Sequence, residues 1–91
     1  MIEVKNINGE VIARLDGDDP ALADFSLMDL SFADFRGWDL CLANFWEADL
    51  HGADFTEADL SCSNIYQASD LDGAVFDYAI LPGRRSRNCG F

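Results

Sequence analysis

The fold of this chain is decided by residues 25–60, which read FSLMDLSFADFRGWDLCLANFWEADLHGADFTEADL. Every fifth position of this stretch is large and apolar, and Phe alternates with Leu: Phe25, Leu30, Phe35, Leu40, Phe45, Leu50, Phe55 and Leu60. The series extends to Ile65 and, after one inserted residue, resumes at Leu71, Phe76 and Leu81. A period of five matches neither the helical period of about 3.6 nor the strand period of about 2. The pattern favours short units that each form one side of a coil, and it excludes most enzyme architectures.

The neighbours of each large residue repeat as well. The position two before it is mostly Ala and the position directly before it is mostly Asp or Asn, so the unit reads Ala-(Asp/Asn)-(Leu/Phe)-X-X. Twelve such units between residues 21 and 81, broken by a single insertion, resemble the pentapeptide-repeat family. The resemblance implies an all-β fold, a right-handed quadrilateral β-helix of about three coils with four units per coil. In such a coil the large and small residues of each unit point inward.

Writing the sequence in rows of twenty residues places like residues on like. The stacked columns are Phe25/Phe45/Ile65, Leu30/Leu50/Leu71, Phe35/Phe55/Phe76 and Leu40/Leu60/Leu81. Stacks of this kind provide the close contacts of a packed interior. We expect the inserted residue between Ile65 and Leu71 to form a bulge at one corner of the coil.

The flanking segments differ from the repeats. In residues 1–20, Asn8-Gly9 lies between β-forming residues, which predicts an N-terminal β-hairpin or strand cap over the first coil. Residues 21–81 form the predicted β-helix, and residues 82–91 form a basic C-terminal tail. No apolar run is long enough for a membrane span and no leader sequence is evident, so we expect a cytoplasmic protein without a membrane partner.

The residue types that support catalysis or metal binding are sparse. Without a leader sequence, the three cysteines, Cys41, Cys62 and Cys89, are expected to be reduced thiols. His51 is the single histidine and lacks a ligand-spaced pair, so no metal or other cofactor is expected. The carboxylates form a ladder on a convex surface and do not converge in a pocket, so we expect no enzyme activity.

Charge is the property that points to function. Residues 21–81 contain twelve acidic residues and one basic residue, Arg36, and the whole chain has a formal charge of −11. Stacking the coils places Asp29 beside Asp49, Asp34 beside Asp54 and Asp39 beside Asp59. The few basic residues argue against direct binding of nucleic acid.

Two interpretations of this acidity remain open at the level of sequence. Asp at this site is either a preference of the repeat, useful for turn hydrogen bonding and solubility, or part of a mimic of duplex DNA. Some pentapeptide-repeat proteins, notably the quinolone-resistance relatives that bind DNA gyrase, act as DNA mimics, although this chain is much shorter. The resemblance then implies a non-enzymatic protein that blocks or modulates a nucleic-acid-binding protein with a basic groove. A type II topoisomerase or a CRISPR- or restriction-type defence effector would be such a partner.

The residues predicted to contact that partner are acidic or aromatic and outward-facing: Asp29, Asp34, Asp39, Asp49, Asp54, Glu57, Asp59, Trp46 and Tyr66. A column of Trp46 and Tyr66 near an aliphatic side chain is typical of an interface anchor. The alternative is a structural or oligomerisation module without mimicry. In that case the side carrying Trp46 and Tyr66, or the C-terminal coil face, would form a homodimer.

Overall fold

Parallel β-bridges wind the chain into a coil whose turns are twenty residues long. The computed structural model describes residues 1–83, and each bridge joins the position before one large residue to its counterpart on the next turn. The bridged pairs are Asp24–Asn44, Asp29–Asp49, Asp34–Asp54, Asp39–Asp59, Asp49–Asp70, Asp54–Val75 and Asp59–Ile80. The chain therefore has a β-helix-like all-β fold with four bridge positions per turn. Its right-handed, quadrilateral form stays a prediction.

The interior of the coil is made of stacked aromatic rings flanked by Leu and Ala. The ring of Phe25 lies 5.1 Å from that of Phe45 with an interplanar angle of 8°, and Phe35 lies 5.1 Å from Phe55 at 11°. The two stacks meet edge to face, as between Phe45 and Phe55, whose centroids are 6.0 Å apart at 89°. These rings are fully buried, together with Leu30, Leu40, Leu50 and Leu60. The small residues beside them, Ala33, Ala43, Ala48, Ala53 and Ala58, are buried as well.

The inserted residue changes one corner without breaking the stacks. Up to Asp59 the bridged positions are twenty residues apart on the first two turns, and across the insertion the spacing becomes twenty-one. A 3-10 helix, Ile65–Gln67, occupies this corner. Asn64 is displaced there, and its side-chain oxygen accepts from the N–H of Phe45 at 2.6 Å, where other sites use a backbone carbonyl. The insertion therefore disturbs the ladder at one corner, where a bulge was expected.

The N-terminal residues form a hairpin that is hydrogen-bonded to the first turn. Strand β1 (Ile2–Lys5) pairs antiparallel with β2 (Val11–Leu15), with a register shift between Val4 and Lys5. The other edge of β1 meets the coil, where the N–H of Asp34 donates to the carbonyl of Lys5 at 2.7 Å. Val4 is fully buried in the same core as the phenylalanines. A second 3-10 helix, Pro20–Leu22, leads from β2 into the coil.

The predicted basic tail, residues 82–91, lies mostly outside the described residues, as do Arg84, Arg85, Arg87 and Cys89. Within residues 1–83, no helix has the length and apolar character needed to cross a membrane.

We predict that Phe45→Ala lowers the free energy of unfolding by about 3–5 kcal/mol, because it leaves a cavity between two ring stacks. The measurement is urea denaturation followed by circular dichroism. Phe32→Ala is the matched control, since Phe32 is 47% exposed, and we expect it to cost about 1 kcal/mol or less. Equal losses for the two variants would contradict the buried position of Phe45.

Candidate functional site

The Asp or Asn of most units builds the turn that follows it. Its side-chain oxygen accepts a hydrogen bond from the backbone N–H two residues later, at 2.8–3.2 Å, an Asx turn. These turns contain a residue with positive φ. Gly52 adopts this conformation without strain, whereas Leu27 adopts it at φ +63°. Nine positions share this hydrogen bond: Asp24, Asp29, Asp34, Asp39, Asn44, Asp49, Asp54, Asp59 and Asp70. The side-chain oxygen therefore stabilises the turn whether the residue is the charged Asp or the neutral Asn.

Three of the four bridge positions carry columns of carboxylates. The bridges bring Asp29 beside Asp49 and Asp49 beside Asp70, and they pair Asp34 with Asp54 and Asp39 with Asp59. The last two columns end after two carboxylates, because Val75 and Ile80 take the corresponding positions on the third turn. Asp29 and Asp39 are exposed and the other four predicted aspartates are half-buried: Asp34, Asp49, Asp54 and Asp59.

The fourth bridge position carries one carboxylate, Asp24, and amides on the turns that follow. Asn44 donates from Nδ2 to Oδ1 of Asp24 at 3.3 Å, and Asn64 donates from Nδ2 to Oδ1 of Asn44 at 2.7 Å. Trp46 and Tyr66, which follow these amides along the chain, are 48% and 64% exposed. The structure therefore separates the two classes of predicted contact residue, since the aromatic pair lies with the amide ladder.

Arg36 neutralises part of one carboxylate column. Its guanidinium donates to both carboxylate oxygens of Asp34, at 2.9 and 3.0 Å. This contact holds the pKa of Asp34 below its ordinary value and raises the pKa of Arg36. Both residues line a groove of about 730 Å³ between the hairpin and the coil, together with Glu3, Lys5, Gly37, Trp38, Thr56 and Glu57. This pairing was not predicted from the sequence, although a base two residues after Asp34 is a signal for it.

Serine hydroxyls hold two further carboxylates in their charged form. The hydroxyl of Ser26 donates to Oδ1 of Asp24 at 2.6 Å, and that of Ser31 donates to Oδ1 of Asp29 at 2.8 Å. With the backbone N–H of the same serine, each hydroxyl lowers the pKa of its carboxyl below the ordinary value. The ionised state of these two carboxylates is therefore favoured by local hydrogen bonds.

Cys41, Cys62 and His51 differ in their surroundings. Cys41 is buried and does not take part in a disulfide, whereas Cys62 is disulfide-bonded, so the expectation of reduced thiols is wrong for Cys62. His51 packs edge to face against Phe32, with centroids 5.6 Å apart, and its Nδ1 lies 3.6 Å from Oδ2 of Asp70. Among residues 1–83 no group of three or more potential ligands is placed to hold a metal ion.

We predict that Asp49→Asn keeps the stability of the protein within about 0.5 kcal/mol, whereas Asp49→Ala lowers it by about 1 kcal/mol. Asn retains the oxygen that accepts from the N–H of His51 at 3.1 Å, and Ala removes it. Thermal and urea unfolding of the two variants measure the difference. A loss in Asp49→Asn as large as in Asp49→Ala would show that the turn depends on charge.

We also predict that acid weakens the fold through Asp24, Asp29 and Asp34. Their pKa values are lower in the folded protein than the ordinary value of 3.8. The unfolded chain therefore binds protons first as the pH falls. The contribution of these groups to the free energy of unfolding is complete above about pH 4 and declines below it. Urea unfolding between about pH 2 and 6 measures the decline. It should be shallower in the triple variant Asp24→Asn/Asp29→Asn/Asp34→Asn, and an identical decline would contradict the assignment.

Comparison with known proteins agrees with the five-residue pattern. Residues 42–69 match the family model described as Pentapeptide repeats (8 copies). No curated protein and no solved structure matches the chain.

Proposed function

Because residues 42–69 match the model of pentapeptide repeats, we propose that this chain is a non-enzymatic interaction protein whose acidic columns occupy a basic, nucleic-acid-binding groove of a partner protein. The match to this family favours a role in protein interaction. The class of partner and the mimicry of DNA are our proposal. The observation that carries it is the placement of carboxylate columns on three of the four bridge positions of one coil.

The linear charge density of the coil supports mimicry of DNA. The turns formed by residues 24–43, 44–63 and 64–83 have formal charges of −3, −5 and −3. At a rise of about 4.8 Å per turn, each turn has about one charge per 1–1.6 Å of axis. Duplex DNA has about one charge per 1.7 Å. A groove that accommodates DNA would therefore meet a comparable density of negative charge on this protein.

The carboxylates are also held in place before any partner arrives. The Asx hydrogen bond fixes each aspartate to its own turn, as in Asp29 and Asp49. Bridges between turns then fix the spacing of the columns. Side chains that are already ordered lose little conformational entropy when they pair with Arg or Lys of a partner. Glu57 is exposed on the middle turn and adds a charge beside the Asp34–Asp54 column.

The length of the coil favours a short groove. Three turns span about 15 Å, which corresponds to about four base pairs of duplex DNA. A type II topoisomerase has a longer DNA groove, and two copies joined end to end would be needed to fill it. Our proposal is that one copy fills a smaller groove, such as the DNA or guide channel of a nucleic-acid-guided or restriction-type defence effector. We therefore place such an effector first among the proposed partners and the cytoplasm as the site of action.

The proposal predicts capture of a nucleic-acid-binding protein that is released by salt. The immobilised chain is incubated with lysate of its source cells at about 50 mM salt and washed with a gradient to about 0.5 M, because ion pairs at an interface are screened over this range. Captured proteins are identified by mass spectrometry, and each is then tested for competition between this chain and labelled duplex DNA. A partner whose affinity is insensitive to salt, or that binds DNA and this chain together, would contradict the proposal.

Two matched variants sharpen the test. Asp29→Asn/Asp49→Asn removes two charges from one column and keeps the turn hydrogen bonds, so we expect an affinity about tenfold weaker and a shallower salt dependence. Glu10→Gln/Asp16→Asn removes two charges from the exposed hairpin and should change affinity less than twofold. Equal weakening by the two variants would show that net charge alone drives binding.

A further inference from the structure

Two departures from the repeat meet in the groove between the hairpin and the coil. Arg36 is the single basic residue of positions 21–81, and Trp38 stands where most other units have Ala. Both residues line the groove, whose volume of about 730 Å³ lies in the range of ligand sites. We propose that this groove binds one guanidinium group, presented by an arginine side chain of a partner protein.

The first turn of the coil offers backbone hydrogen-bond acceptors to the groove. On the second turn, the carbonyls of Asp54 and Thr56 point toward the first turn and accept from its N–H groups at 2.9 Å. Their counterparts one turn earlier, the carbonyls of Asp34 and Arg36, accept no backbone hydrogen bond from residues 1–83. The repeat directs these two carbonyls toward the hairpin, which forms the other wall of the groove. A ligand that donates hydrogen bonds would satisfy them.

The electrostatic field of the protein favours a cation in the groove. Residues 1–83 contain all 17 acidic residues of the chain and three of its six basic residues, so their formal charge is −14. An anionic ligand would approach this part of the chain against its field, whereas a cationic ligand is attracted by it. The two basic residues that line the groove, Lys5 and Arg36, do not reverse this field, because Arg36 is already paired with Asp34.

The ion pairs around the groove leave one carboxylate available for a ligand. Arg36 donates to both carboxylate oxygens of Asp34, at 2.9 and 3.0 Å, and Arg14 donates to Glu3 at 3.2 Å. Glu57 also lines the groove, is exposed, and forms no ion pair with another of the described residues. A cation in the groove would therefore find Glu57 as its counter-ion without breaking an existing pair.

Trp38 and the open carbonyls select a guanidinium group over an ammonium group. The half-buried indole of Trp38 packs edge to face against Phe35, with centroids 5.1 Å apart at 85°, so the core holds its position before a ligand arrives. A guanidinium group is planar and weakly hydrated, stacks on aromatic rings, and has five N–H donors and no acceptor. The carbonyls of Asp34 and Arg36 and the carboxylate of Glu57 are acceptors, which is the complementary set.

The inference depends on the proposed function only for the source of the arginine. A protein groove that binds nucleic acid contains arginine side chains, because they contact phosphate. The site itself is tested on the isolated chain with a small ligand. Loss of binding in the groove would leave the carboxylate columns available to a partner, and failure to capture a partner would leave the groove intact, so the two failures are distinguishable.

Titration of the isotope-labelled chain with N-acetylarginine amide, followed by NMR, tests the inference. We expect saturable shifts at the N–H groups of Gly37 and Trp38, with a dissociation constant on the order of 1–10 mM. N-acetyllysine amide has the same charge, and N-acetylcitrulline amide has nearly the same shape without the charge. Each of these two compounds should bind at least about threefold more weakly.

Three outcomes of this titration would overturn the inference. The first is the absence of saturable shifts in the groove up to about 50 mM ligand. The second is equal binding of the arginine and lysine compounds, which would show general attraction of cations. The third is binding of free arginine at least about tenfold more tightly than the blocked amide, which would identify a free amino acid, and not a protein side chain, as the ligand.

A matched pair of glutamates separates a specific site from general attraction to an acidic protein. Glu57→Gln should raise the dissociation constant for N-acetylarginine amide at least about threefold, because it removes the available counter-ion. Glu47→Gln is the control, since Glu47 is exposed at the equivalent position two units earlier and has a similar positive φ, 56° against 62°. It should change the constant less than about 1.5-fold, because a remote exposed charge is screened. Equal weakening by the two variants would overturn the inference.

Substitution of the two basic residues in the groove tests the sign of the ligand's charge. Arg36→Gln releases the carboxylate of Asp34, and Lys5→Gln removes a repulsive charge, so each should tighten binding of N-acetylarginine amide at least about twofold. A groove built for anions would instead use Lys5 and Arg36 as its binding groups. Weaker or unchanged binding in both variants would therefore overturn the inference, and circular dichroism of each variant establishes that it is folded.

Discussion

Stacking of phenylalanine on phenylalanine across successive turns is the interaction on which the rest of the structure depends. Phe25 and Phe45, and Phe35 and Phe55, lie 5.1 Å apart and nearly parallel, a spacing close to the distance between bridged backbones. Turns of equal length keep each ring in its stack, so an extra residue in a turn must be absorbed locally for the stack to continue. The regular turns, the β-bridges and the columns of surface side chains all follow from this requirement.

The insertion before Leu71 shows how strongly that requirement acts. An extra residue would displace every later ring if it were spread along the turn. The 3-10 helix Ile65–Gln67 absorbs it at one corner, and Phe55 and Phe76 still stack at 5.3 Å with an interplanar angle of 1°. The cost falls on the ladder near Asn64, whose side chain replaces a backbone carbonyl as acceptor. Core packing thus takes precedence over backbone regularity at this site.

The aspartates combine a structural and an electrostatic property in one side chain. Each provides an oxygen that closes the following turn, and Asn44 meets the same need without a charge. Turn formation therefore explains why Asp or Asn stands at this position, but it does not require that Asp outnumber Asn. The columns of ionised aspartates are an additional feature of the surface, and neighbouring carboxylates within a column repel one another at the spacing of the turns. The stability of the fold relies on the buried rings and the backbone bridges.

The sequence by itself determined the period of the coil, its buried residues and its aligned aspartates. Alternating Phe and Leu every five residues fit a period of ten or a multiple of it, and the resemblance to pentapeptide-repeat proteins selected twenty, which placed Phe45 and Asp49. Tertiary structure decided what spacing does not encode: the neutralisation of Asp34 by Arg36, the amide ladder from Asp24 to Asn64, and the disulfide at Cys62. These features depend on rotamers and on contacts between turns. The period positions each Cα, whereas the local geometry of side chains decides which neighbouring polar groups come within hydrogen-bond distance.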